Sequence, residues 1–157
     1  MKIEIKDLPE FEVAFFRRIG SYFEPQDHWE KLMKWAIGNS LFPPYHSFLG
    51  ISLDNPNLVE AQNCRHDACV TLPEGFDKEK HNDIGFKRIE GGCYAVYRFY
   101  DSPDKLNLVY QYVFGEWLPT SNYEADFDRD NLEFSMNNPS DDPKGKVKVD
   151  LYVPIKR

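Results

Sequence analysis

Apolar residues recur along this chain with two different periods. Two stretches carry the helical one. Trp29, Leu32, Met33, Ala36 and Ile37 fall at i, i+3, i+4 and i+7 spacing, and so do Leu106, Val109, Tyr110, Val113, Phe114 and Trp117. Each stripe predicts a helix lying on a core. Pro25 and Pro103 stand where a first helical position is expected, which suits a residue lacking an N–H, and Ser102 is a natural N-cap. Gly38-Asn39 and Pro119 read as stop signals. Alternating or aromatic-rich runs predict strands at 12–17, 47–52 and 65–72, and again at 93–98, 132–136 and 147–155.

These elements repeat. Glu12-Val13-Ala14-Phe15-Phe16-Arg17 answers to Cys93-Tyr94-Ala95-Val96-Tyr97-Arg98 at an offset of about 81 residues. Asp54-Asn55-Pro56 and Asn137-Asn138-Pro139, both turn sequences, repeat at about 83, as do Asp67-Ala68-Cys69-Val70 and Asp150-Leu151-Tyr152-Val153. The chain therefore reads as β-α-β-β twice within one domain, 1–157, with half-repeats of about 1–73 and 84–157 divided near 74–83. The expected fold class is α+β: duplicated units related by a pseudo-twofold axis, antiparallel sheets, and helices packed on one face. Such an axis leaves a central cleft between the halves, a usual place for a ligand.

Composition narrows the partners. Lys plus Arg number 19 and Asp plus Glu 26, a net charge of −7, so the basic footprint needed for a phosphate backbone is missing and direct nucleic-acid binding is disfavoured. An aromatic fraction of 15% argues against disorder and suits a cationic or flat apolar ligand, or a basic partner. No run approaches the length of a spanning helix, so no membrane partner is expected. The first residues alternate apolar and charged with no apolar signal region, and Cys64, Cys69 and Cys93 form no disulfide framework, so a cytoplasmic location is expected.

Candidate chemistry is sparse. Cys64-x-His66-x-x-Cys69 resembles a metal motif, but strand alternation puts Cys64 and His66 on one face and Cys69 on the other, which cannot close a tetrahedral site. No metal is predicted and no cofactor is called for. Ile89-Glu90-Gly91-Gly92 reads as a hairpin turn before a strand, not a phosphate cradle. What remains is one acid among aromatics. Glu133 shares a strand face with Asn131 and Ser135, and alternation does not decide which face of the sheet that is. Its repeat partner is Gly50. By repeat logic Trp117, Tyr110 and Tyr152 lie nearby, either as core or as ring walls for a planar cation held by the carboxylate.

Five blocks together carry a resemblance: 29–35, 94–97, Trp117-Leu118-Pro119-Thr120-Ser121-Asn122-Tyr123-Glu124, Leu132-Glu133-Phe134 and 149–155. In this order and spacing, over essentially the whole chain, they resemble the GyrI-like small-molecule-binding domain family. That family includes effector domains of multidrug-sensing transcription regulators and free-standing gyrase-inhibitory proteins. The resemblance implies the duplicated fold and a pocket acid where Glu133 stands, with Trp117, Tyr110 and Tyr152 at wall positions. It implies binding of small lipophilic drugs or toxins, cationic or planar, without a cofactor. Two alternatives come with it. One is hydrolysis of strained electrophilic toxins with Glu133 as general base. The other is inhibition of DNA gyrase by protein contact. No helix-turn-helix precedes the domain, so a role in transcription would need a separate DNA-binding partner.

Overall fold

The computed structural model describes residues 2–22 and 24–157. In chain order the strands and helices are β1 (Glu4–Leu8), β2 (Phe11–Ile19), α1 (His28–Gly38), β3 (Phe48–Ser52), β4 (Arg65–Thr71), β5 (Gly85–Ile89), β6 (Gly92–Asp101), α2 (Leu106–Tyr112), α3 (Leu118–Thr120), β7 (Glu124–Ala125), β8 (Leu132–Ser135) and β9 (Val147–Lys156). A π-helical turn, Val113–Trp117, joins α2 to α3. The fold mixes α and β, and the strand pairs within each unit are antiparallel. No helix among the described residues is long and apolar enough to cross a membrane.

The chain divides into two compact units, residues 10–90 and residues 1–9 with 91–157. The first, here the contiguous unit, orders its strands β3-β4-β2-β5. The second, the split unit, orders them β8-β9-β6-β1, with β7 paired to the end of β9. The strand order corresponds, β3-β4-β2 answering to β8-β9-β6, but the fourth strand comes last in the contiguous unit (β5) and first in the split unit (β1). The division differs from halves at 1–73 and 84–157 because β1 pairs with β6, Glu4 facing Val96, while β5 pairs with β2, Phe11 facing Ile89. Residues 89–92 therefore do not turn a hairpin. They join β5, which pairs with β2, to β6, which pairs with β1.

In the contiguous unit α1 covers one sheet face. Leu32 and Ala36 meet Ala14, Ala68 and Val70, and the alanines keep the helix close to the strands. The predicted stripe is only partly buried: Met33 and Ile37 are exposed. The helix starts at His28, after Asp27, so Pro25 lies outside it. It runs through Gly38. The residue with positive φ, at 59°, is Ser40, and Leu41 N–H reaches back to the Ala36 carbonyl at 2.8 Å.

In the split unit Ala95, Phe99, Leu151, Val153 and Ile155 present one sheet face to Val109, Val113 and Leu118. Pro103 opens a short 3-10 turn, Pro103–Lys105, with Ser102 before it, though the Ser102 side chain makes no capping bond. Arg129 fastens the strand ends. Its guanidinium donates to the carbonyls of Gly91, Cys93 and Ile155 at 3.0–3.2 Å and to Asp126 at 2.9 Å, and lies 4.8 Å over the Tyr94 ring. Gly92, at φ +128°, makes the approach possible, since a Cβ there would come within 2.7 Å of Arg129 Nη1.

Candidate functional site: the Glu133–Tyr110 pair

Four residues of β8 lie along β9, with Leu132 opposite Tyr152, Glu133 opposite Leu151 and Phe134 opposite Asp150. Residues directly opposite in an antiparallel pair share a face. Leu151 belongs to the core beneath the helices, so Glu133 points to the helix side. That answers the question alternation left open. Tyr110, on α2, packs against the same core, and its hydroxyl donates to Glu133 Oε2 at 2.9 Å.

The pair sits in low-dielectric surroundings. Burial pushes the Glu133 carboxyl above its ordinary range, and the Tyr110 hydrogen bond pulls it partly back. Burial pushes the Tyr110 phenol well up, helped by the neighbouring carboxylate, so at neutral pH the phenol is a donor. No Lys, Arg or His among the described residues forms an ion pair with Glu133. A desolvated acid supported by one phenol attracts an external cation or takes up a proton.

Trp117 belongs to the same helix-side layer and stacks on Tyr123, with centroids 6.2 Å apart and planes 15° apart. It ends the π-helical turn. Such a turn takes more residues than an α turn, so Trp117 is rotated off the stripe that an unbroken helical period predicts. Tyr123, its stacking partner, lies in a loop where no periodic signal singles it out. Tyr152 is not brought to Glu133. It faces Leu132 on the other side of the sheet, edge-on to Tyr94 at 5.7 Å and Phe134 at 5.1 Å. Repeat logic placed it near the acid, and the register assigns it the opposite face.

The sequence model of the family described as GyrI-like small molecule binding domain matches residues 1–156. The chain belongs to the GyrI-like family. A DNA gyrase inhibitor of Citrobacter koseri is 28% identical over 159 residues, covering 99% of this GyrI-like chain and 98% of that protein. Among solved structures, the EcmrR C-terminal domain superposes with a TM-score of 0.73 at 16% identity, covering 99% of this chain and 98% of that one. SAV2435, solved with tetraphenylphosphonium bound, superposes at 0.64 and 12% identity, covering 99% and 94%. At these identities the two structures speak for the fold. The family makes this GyrI-like chain a small-molecule-binding domain related to effector-binding domains.

Proposed function

We propose that the chain binds small lipophilic cations, drugs or toxins, with Glu133 supplying the charge, Tyr110 holding the carboxylate, and Trp117 offering ring surface. The observation that carries this is a desolvated carboxylate whose hydrogen-bond partner among the described residues is a neutral phenol. An incoming cation supplies the missing counter-charge, and the aromatic neighbours add cation–π attraction. The tetraphenylphosphonium bound to SAV2435 is a ligand of this chemistry on a similar fold. Tyr152 has no part in the reading. The matching strand order of the two units supports reading the chain as a duplication.

Calorimetry with tetraphenylphosphonium tests it. Glu133→Gln is expected to weaken binding by about 1–3 kcal/mol, the loss of a desolvated charge contact. Neutral triphenylphosphine oxide should bind both proteins alike. Equal affinity of wild type and variant for the cation overturns the assignment.

The raised Glu133 carboxyl also favours a second reading, as general base. The carboxylate takes a proton from water, the water oxygen bonds to an electrophilic ring carbon, and the ring bond breaks with its electron pair. The leaving atom then gains a proton, for a net addition of water. Epoxide- or cyclopropane-bearing compounds followed by mass spectrometry test this, and turnover unchanged in Glu133→Gln removes it. A third reading, contact with DNA gyrase, rests on the name of the Citrobacter relative and on the net charge of −7. Salt-sensitive capture of gyrase by the pure protein is its test.

A further inference from the structure

On the sheet face turned away from α1, the contiguous unit gathers charge. Ala14, Phe16 and Ala68 meet the helix side, so by alternation Phe15, Arg17 and Asp67 point the other way. Asp67 on β4 stands opposite Arg17, and Lys87 on β5 stands opposite Val13, on that same face. Asp67 is fully buried. Arg17 grips it with Nε and Nη2 at 2.7 and 3.0 Å, and Lys87 Nζ donates to the same carboxylate. Burial opposes the charge of Asp67, and these bonds overcome it, holding the carboxyl below its ordinary range. Both cations lie over the Phe15 ring, the guanidinium 5.4 Å and the ammonium 4.8 Å from its centroid. The ring lies against Gly85, where a Cβ would come within 2.6 Å of it.

One buried acid thus serves two cations. Arg65 and Asp54, the neighbouring pair, cancel each other, and no further Asp or Glu among the described residues pairs with Arg17 or Lys87. The excess is one positive charge on a chain of net −7. The duplicated ladder shows that the fold does not demand it. In the split unit Arg98 stands opposite Asp150 and Lys6 opposite Tyr94, the register positions of Arg17, Asp67 and Lys87, but Glu4 stands where Gly85 does. Arg98 is shared there between Glu4 and Asp150 at 3.4 Å each, Lys6 lies 3.7 Å from Glu4, and the charges cancel. The contiguous unit has donors to spare. Asp67 takes the Nε–Nη2 edge of Arg17, so the Nη1–Nη2 edge is unused among the described residues, and Lys87 keeps two further N–H groups. Solvent reaches both, the Arg17 side chain being 37% exposed and that of Lys87 23%. Two residues along β2 from Arg17, on the same face, Ile19 is 62% exposed.

We propose that this face of the contiguous unit is a binding site for a small organic carboxylate. The carboxylate lies between the free edge of Arg17 and Lys87 Nζ, and the apolar body of the ligand rests on Ile19. Asp67 and Phe15 hold the two cations side by side. A monoanion neutralises the excess charge, whereas a dianion leaves one charge of its own uncompensated. The ligand class is opposite in sign to the cations assigned to Glu133, and no residue of that assignment takes part.

Nitrogen–proton and methyl spectra of the isotope-labelled full chain test this, with benzoate as probe. Benzamide supplies the same ring without the charge, and sodium chloride at matched ionic strength supplies the charge without the ring. Benzoate is expected to shift the Arg17 Nε–H and the Ile19 methyls along a saturating curve, and benzamide and chloride to leave both in place. Lys87→Met keeps the Arg17–Asp67 bonds but removes the excess cation, and should weaken benzoate about tenfold or more. Glu133→Gln should leave benzoate binding unchanged. No saturating shift in the wild type, an equal shift with chloride or benzamide, or full affinity in Lys87→Met overturns the proposal. The first two readouts use the wild-type protein, so they stand even where the variant fails to fold.

Discussion

At the scale of single residues, Glu133 and Tyr110 set each other's protonation. The phenol donates to the carboxylate, favouring its charged form against the burial that opposes it. Tyr110→Phe removes only that donor, so the Glu133 carboxyl is expected to titrate at higher pH, which carboxyl-carbon NMR across a pH series measures. Cation binding near neutral pH should then release more protons, since a larger fraction of the acid starts protonated. His66 gives a second titration with a definite sign. Folding lowers its pKa from the ordinary 6.5 to about 4. The unfolded chain therefore binds a proton there that the native chain refuses. Stability present above about pH 6.5 is lost as pH falls toward 4, by an amount on the order of 2–3 kcal/mol. Asp67, held charged by Arg17 and Lys87 against burial, adds a loss of the same sign at lower pH. Urea midpoints between pH 7 and pH 4.5 should fall, and fall less steeply in His66→Gln. Equal slopes would assign the loss to the carboxylates.

At the scale of elements, the clearest dependence is that of two strand ends on one side chain. Arg129 satisfies carbonyls at the start of β6 and near the end of β9, so Arg129→Ala leaves several acceptors unpaired. It should lower stability by about 2–4 kcal/mol. Arg129→Lys should recover little of this, because an ammonium cannot reproduce the fork. Denaturant unfolding of the three proteins checks both statements. Helix α1, β2, β4, β6 and β9 were legible in the sequence because their hydrophobic periods run long enough to register. β1, β5 and β7 were not, being short edge or end strands whose partners lie elsewhere in the chain. The acid at 133 and the tyrosine at 110 were legible as chemistry, yet their hydrogen bond was not. It depends on the β8–β9 register, which fixes the face of Glu133 and removes Tyr152. The π-helical turn had no periodic signature either, so the expected helix ran on through Trp117.

At the scale of the molecule, both units show the same strand order, but only one is continuous in the chain. Residues 10–90 contain every strand and helix of their unit, and a protein of that span is expected to give a dispersed amide spectrum alone. Residues 91–157 lack β1, which leaves the edge of β6 unpaired, and should fold only when a peptide spanning 1–9 is supplied. Collapse of the 10–90 piece would count against this. The break has a consequence for assembly during synthesis. β1 leaves the ribosome first, yet its partner β6 follows only after the whole contiguous unit. Pairing Glu4 with Val96 across a slack chain of roughly ninety residues carries a closure entropy that a tight turn avoids, a difference on the order of 3 kcal/mol. Once the inner unit has folded, however, Phe11 is already pinned to Ile89. The long loop then behaves as a short one, and the waiting N-terminal strand is delivered to the place where β6 will emerge. The order of translation becomes an order of folding, with the inserted piece acting as the clamp that lets the interrupted one close.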